Sequence, residues 1–364
     1  MLAEYNALLR NNTWLLVPPA TDQNLISCKW IFRIKTQPDD SIERYKARLV
    51  ARGFQQRPGI DFGKTYSPVL KPTTLRLILS LAVSQNWPVR QLDIANAFLH
   101  GSLSEPVNMQ KPPGFVDQAR PDHVCHLRKS LYGLKQALRA WFHCLRQALE
   151  SYGFKGSKTD PSLFILRRGA IRLYFLVYVG DILLTGNQGS ALHPLLLFLQ
   201  GKFVVRDLGR LNYFLGVQAH WTPTGLLLTQ QRYIQAILDR AKMSNANSLS
   251  TPAAPATKDP DMTPFSDPSL YRQIVGALQY LQFTRPDISH AVNFSAQHMH
   301  NPLQHHWSDV KRIHLNGTST HGLFFNNTSP LLLSGYYDAA WANSVLDRRS
   351  TTGYAVYLGC HLIS

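Results

Sequence analysis

Two carboxylates stand where chemistry could be done: Asp93 in "VRQLDIANAF" and Asp181 in "LVYVGDILLTG". Two-metal phosphoryl transfer needs several carboxylates converging on Mg²⁺ ions held roughly 3.5–4 Å apart. Mg²⁺ demands oxygen ligands in near-octahedral geometry, so Asp at the end of a regular element suits it. Asp93 closes one apolar run and Asp181 divides two others, so the pair could converge if their strands are neighbours. Asp at a strand end is also ordinary turn chemistry, because its side chain bonds nearby backbone. From spacing alone Asp181 is either a turn residue or the survivor of a metal site that has lost a partner at Gly180.

The elements that must position these residues can be read from the pattern. Apolar and β-branched runs on both sides of Gly180-Asp181 predict a β-hairpin with a two-residue Gly-Asp turn. "PVRQLDIANAFLHG" predicts a short strand entering a helix, with Asp93 at the junction. "ISCKWIFRIK" and "RYKARLVARGF" predict a basic hairpin closed by "TQPDDS". Helices are expected in "KPTTLRLILSLAVSQNW", in "SLYGLKQALRAWFHCLRQALESYGF" after a turn at Gly133, in "QQRYIQAILDRAKM" and in "YRQIVGALQYLQF". "FVVRDLGRLNYFLGVQAHWTPTGLLLTQ" predicts further strands, and "LLLSGYYDAAW" with "TTGYAVYLGCHLIS" two or three more. Residues 245–268, rich in Pro, Ser and Thr, mark a linker.

Charge narrows the partners. Lys plus Arg number 38 against 22 Asp plus Glu, a formal charge of +16. Basic residues concentrate near Cys28–Gly59, interleaved with Trp30, Phe32, Tyr45 and Phe54. Cations that neutralise phosphates release counterions, and aromatics offer stacking platforms, so a polyanionic nucleic acid is the expected partner. The 4 cysteines show no CxxC spacing, which speaks against a zinc ribbon or a disulfide framework. "HMH" and "HH" at 298–300 and 305–306 lack a nearby Cys or Glu at ligand spacing. No apolar run reaches the ~18 residues of a membrane span, so a soluble cytoplasmic or nuclear protein is expected.

"WIFRIK", "YKARLVARGFQQRPGIDFGKTYSPV", "VRQLDIANAFLHGSLSEPVNMQKPPGF", "SLYGLKQALRAWF", "DPSLFIL", "LVYVGDILLTG", "RDLGRLNYFLGV" and "LYRQIVGALQYLQFTRPDISHAVN" follow one another along the chain. In that order and spacing they resemble the copia-type retrotransposon reverse transcriptases. The resemblance implies an α+β right-hand polymerase of fingers, palm and thumb, followed by a partial RNase H-like α/β segment. It implies fingers and palm over 1–220, thumb and connection over 221–328, and an RNase H-like start over 329–364. It also implies an RNA-directed DNA polymerase using Mg²⁺, with an RNA template, a DNA primer, an RNA–DNA hybrid and deoxynucleoside triphosphates as partners.

Position by position, Asp93 matches the first catalytic carboxylate and Phe98 the aromatic under the sugar that excludes a 2′-hydroxyl. The family carries Tyr-Val-Asp-Asp in the hairpin, so Tyr178, Val179 and Asp181 match and Gly180 does not. On this resemblance Asp181 is a catalytic survivor and one metal ligand is missing. Lys46, Arg48 and Arg52 fall where the family holds the incoming triphosphate. "LYGLKQA" matches the segment lining the nucleotide and template pocket, with Lys135 and Gln136 as contacts. Asp338 matches the first RNase H metal ligand.

Departures accumulate elsewhere. Lys64 stands in place of an acidic residue, Leu138 in place of Pro and Asn108 in place of Tyr, and "DVKRIHLNGT" is two residues short of the usual helix end. Later RNase H ligands and the capsid, protease and integrase parts are absent from the sequence, so no ribonuclease H activity is expected. The expected protein is a polymerase by family, inactive in this copy; the alternative is a non-catalytic nucleic-acid-binding remnant.

Overall fold

A computed structural model describes residues 1–364 except 22, 37–40, 248, 250, 254–258, 314, 343–347 and 349. The chain mixes helices and sheets and divides into two compact units, one of Met1–Leu70, Leu92–Leu184 and Gln188–Leu208, the other of Lys71–Gln91, Thr185–Asn187 and Gly209–Ser364.

A six-stranded sheet, most of it in the first unit, runs in the strand order 205–210, 89–94, 181–186, 171–178, 163–168, 155–156. Ile171–Tyr178 pairs antiparallel with Leu163–Arg168, placing Phe175 opposite Phe164 and Leu173 opposite Leu166. Leu92, Ile94, Phe164, Phe175, Val177, Ile182 and Leu184 form one core with Trp141, Leu145 and Leu149 of the Ala137–Tyr152 helix and Leu195 and Leu199 of the Leu192–Gln200 helix. That helix over 137–152 shows apolar residues at helical spacing and ends at Gly153, whose φ of +112 suits a residue without Cβ.

A second core gathers Leu8, Trp14, Ile26, Leu49, Val107, Met109, Leu127 and Leu131. It roots the two-stranded ribbon Cys28–Thr36 and Ile42–Ala51. Directly opposed residues share a face, so Trp30, Phe32 and Ile34 lie opposite Leu49, Ala47 and Tyr45 on one side. Ile31 and Arg33 lie opposite Arg48 and Lys46 on the other. The expected turn of this hairpin lies outside the described residues over 37–40. Like charges set directly opposite, as Arg33 and Lys46 are, oppose strand pairing.

The second unit contains a four-stranded antiparallel sheet, 213–214, 217–222, 225–229 and 322–326, and a three-stranded one, 333–340, 351–358 and 361–362. Helices Gln231–Arg240, Pro268–Tyr280, Ser289–Ala296 and Gln304–Arg312 pack through Ile234, Tyr271, Ile274, Val292 and Trp307. Part of the expected linker, at 248, 250 and 254–258, lies outside the described residues; the rest carries no helix or strand before Pro268.

Candidate active site

Asp93 is the penultimate residue of the Val89–Ile94 strand, between the strands that carry Asp181 and Arg206. The helix expected to follow does not form. Asn96 takes a left-handed φ of +53, Ala97–His100 make one 3₁₀ turn, and the chain returns as the Ser102–Met109 strand. Asn accepts that backbone region better than most residues, so it breaks the helical path there. Phe98 thereby sits on a short turn beside Asp93 instead of on a helix face.

The second hairpin forms, with its turn one residue earlier than expected. Val179 and Gly180 are the two turn residues, and Asp181 opens the Asp181–Gly186 strand. The positive φ, +56, falls on Val179, an unusual conformation for a β-branched residue. Its carbonyl accepts a 2.7 Å hydrogen bond from Nε1 of Trp141, which is 1% exposed. The Gly180 carbonyl accepts from the Ile94 amide at 2.9 Å, so the turn is pinned to the strand of Asp93. A Cβ built on Gly180 would lie 3.8 Å from Asp93 Oδ1, and 2.9 Å from the Ile94 carbonyl oxygen.

Asp93, Gly180 and Asp181 open onto one cleft of about 570 Å³. Lys46 and Arg48 from the basic ribbon also line it, as do Phe98 and Tyr132. Burial, and then the charge of Asp93, push the Asp181 carboxyl above its usual range. Two carboxylates that feel one another in a partly dry cleft are suited to a shared cation. Burial likewise raises Glu4, opposed by the nearby charges of Arg48 and Lys46. The cleft thus brings carboxylates and cations together.

The other candidates lie elsewhere. Arg52 is exposed at the start of the Gly53–Gln55 turn, and its amide donates to Ser27 O at 2.8 Å. Tyr178 is exposed at the strand end before the turn. Lys135 holds its ammonium 4.5 Å from the centre of the Phe62 ring. Gln136 is 3% exposed; its Nε2 donates to Asp61 O at 2.8 Å and its Oε1 accepts from Gln56 Nε2 at 2.9 Å. Its amide therefore holds the 56–61 loop in place. Asp338 is exposed on the Leu333–Ala340 strand, its Oδ1 accepting from the Ala339 amide at 2.8 Å. Among the described residues no group of three His, Cys, Asp or Glu side chains is arranged to hold a metal ion.

Sequence reasoning missed Glu4 and Arg206, and it named the pocket segment around Tyr132 but singled out Lys135 and Gln136 in it; all three missed side chains line the cleft. Arg206 was within reach, since "VVRDLG" reads as a strand and its Arg would project from one face. Glu4 carries no such signal in an ordinary amphipathic helix, Leu2–Arg10.

This chain is similar to known proteins over nearly all of its length. It is 51% identical over 369 residues to the retrovirus-related Pol polyprotein from transposon RE1 of Arabidopsis thaliana, which covers 100% of this chain and 25% of that one. Identity to the polyprotein from transposon RE2 of the same plant is 50%, with the same coverage. For transposon TNT 1-94 of Nicotiana tabacum it is 38%, over 97% of this chain and 28% of the relative. A family described as reverse transcriptase (RNA-dependent DNA polymerase) matches residues 11–255. The chain belongs to the copia-type reverse transcriptases. This reverse transcriptase region spans about a quarter of the length of the RE1 and RE2 polyproteins. The match over 11–255 includes every cleft residue of this reverse transcriptase named above except Glu4. No described helix is long and apolar enough to cross a membrane.

Proposed function

We propose that this chain keeps the substrate cleft of an RNA-directed DNA polymerase and has lost most of its chemistry at Gly180. The observation that carries this is the place of Gly180: a Cβ there would lie 3.8 Å from Asp93 Oδ1, with Ala97 Cβ at 3.6 Å and the Ile94 carbonyl oxygen at 2.9 Å. A carboxylate at 180 would join Asp93 and Asp181; glycine leaves two. Fingers and palm are assigned to 1–220, thumb and connection to 221–328 and an RNase H-like start to 329–364.

Asp93 and Asp181 suit one Mg²⁺ ion, since such ions are commonly bound by one or two carboxylates with substrate phosphates completing the shell. When bound, the metal would acidify a primer 3′-hydroxyl and offset charge on the phosphates. Lys46 and Arg48 would hold the triphosphate of the incoming nucleotide. Phe98 would close the space beneath its sugar and exclude a 2′-hydroxyl. Arg52, Tyr178 and Lys135, all exposed, are left for template and primer backbone, and Gln136 supports the loop beside them. Among the described residues Asp338 belongs to no group of three metal-ligating side chains, and we assign it no ribonuclease H chemistry.

A second reading, nucleic-acid binding without catalysis, is favoured by the opposed cations Arg33 and Lys46 and a charge of +16. Binding to a primer–template duplex as salt is raised, followed by primer extension on the same complex, separates the two. Salt-sensitive binding with weak extension that Gly180→Asp improves supports the polymerase reading. Salt-sensitive binding with no extension in either form supports the second. A flat salt response removes both.

A further inference from the structure

The carboxylates, the triphosphate-facing cations and the sugar-facing aromatic are the parts the family reading already uses. One cleft residue outside that set touches two of them. The face of the Tyr132 ring lies under the Arg48 guanidinium, 4.6 Å from its centre. The Phe98 ring meets the same side chain at 84°, with centroids 4.8 Å apart. Arg48 and Phe98 line the same cleft as Tyr132.

The backbone fixes this ring from both sides. The Tyr132 carbonyl accepts from the amide of Ala51, the last residue of the strand that carries Lys46 and Arg48, at 2.8 Å. Gly133 follows at φ +91, where an added Cβ would meet the Ala51 carbonyl oxygen. The turn can therefore approach the ribbon this closely only with glycine at 133. On the other side, the Ser130 amide donates to Gly101 O at 2.7 Å and the Ser130 hydroxyl to the Phe98 carbonyl. The Arg48 Nε–H has no hydrogen-bond partner among the described residues, and the Tyr132 hydroxyl makes no hydrogen bond there. The ring, not the hydroxyl, does the holding.

We infer that Tyr132 is a positioning residue that couples triphosphate binding by Arg48 to sugar discrimination by Phe98. A guanidinium on an aromatic face is held without losing its donors, which stay directed at an anion. An edge-to-face neighbour fixes the tilt of Phe98, and that tilt decides whether a 2′-hydroxyl fits. A nucleotide that draws Arg48 inward thus acts on Phe98 through one rigid ring. This inference rests on the polymerase reading of the cleft.

The test is equilibrium binding of a deoxynucleoside triphosphate and its ribonucleoside counterpart to the full chain, loaded with an RNA template and a dideoxy-terminated primer. Wild type and Tyr132→Phe should prefer the deoxy form by the same factor. Tyr132→Leu should weaken deoxynucleotide binding by roughly fivefold or more, the range expected for a lost cation–π contact, and narrow the preference. Tyr132→Gln, which removes the ring but keeps a polar end in a half-buried place, provides the same readout if the leucine variant does not fold. Adding Arg48→Ala to either ring-less variant should cost less than Arg48→Ala alone, the mark of a shared interaction. A folded ring-less variant that keeps both affinity and preference would overturn the inference while leaving the cleft reading intact. If the wild type binds neither nucleotide, both fall together.

Discussion

Gly180 faces Asp93: its missing Cβ would stand 3.8 Å from Asp93 Oδ1 and 2.9 Å from the Ile94 carbonyl oxygen. The second distance qualifies the first. Glycine at 180 removes a ligand and also lets the turn settle closely on the strand of Asp93, through the 2.9 Å bond from the Ile94 amide. A side chain at 180 would therefore press on backbone that already carries a hydrogen bond to the turn. Gly180→Ala should destabilise the protein by about 1–3 kcal/mol, the usual cost of overpacking against backbone that cannot rotate away. Urea unfolding of the two forms measures this, and an unchanged midpoint would show that the turn relaxes freely.

Trp141 should matter as much to the hairpin as to the core. Its indole bonds the carbonyl of Val179, whose left-handed φ of +56 needs outside support. Trp141→Phe leaves that carbonyl without its donor and opens a gap beside Phe203 and His100. A loss of about 2–4 kcal/mol is expected, joining an unpaired buried acceptor to a small cavity. Amide exchange should quicken in 171–186 more than in 14–17, and uniform change would contradict a local role.

What the sequence revealed and what it hid divide along range. Asp93, Asp181 and the basic ribbon were legible because short apolar runs and alternating charge are local signals. The turn was misplaced by one residue because Val-Gly and Gly-Asp both pass as hairpin centres, and a bond from Trp141, 38 residues away, favours the first. The Ser102–Met109 strand went unseen because Pro106 lies within it, and its pairing indeed shifts register between Ser102 and Val107. Tyr132 under Arg48 is a contact across 84 residues that no local pattern announces.

The cleft cations predict stabilisation by polyanions. Inorganic triphosphate should raise the thermal midpoint, since a ligand at a hundred times its Kd adds about 2.7 kcal/mol. Lys46→Gln with Arg48→Gln should abolish the shift, whereas Lys135→Gln should leave most of it. Equal loss in both variants would mean that triphosphate binds diffusely over the basic surface.

A histidine cluster in the second unit predicts acid sensitivity there. His298 and His306 stack with centroids 3.6 Å apart, and His305 lies 4.0 Å from His306. Burial, then the neighbouring His298 and His305, lower His306 to about 4. His298 is lowered too, by burial, His305 and His300, with Asp309 opposing. Because the folded values lie below the ordinary one, the fold favours neutral rings. That stability is complete above the usual histidine range and is lost as pH falls through it toward about 4. His298→Phe should flatten the fall in urea midpoint between about pH 7.5 and about pH 5. An equal slope in both forms would show that the cluster does not govern it.

Primer extension on an RNA template in Mg²⁺, comparing the chain with its Gly180→Asp variant, tests the central claim most directly. Loss of one ligand should cost roughly a thousandfold or more, since several kcal/mol of charge stabilisation are at stake and each ~1.4 kcal/mol is tenfold in rate. The account predicts negligible extension by the natural chain and measurable extension by Gly180→Asp, despite the lower stability of the variant. Robust extension by the natural chain would contradict it, because Asp93 and Asp181 would then suffice.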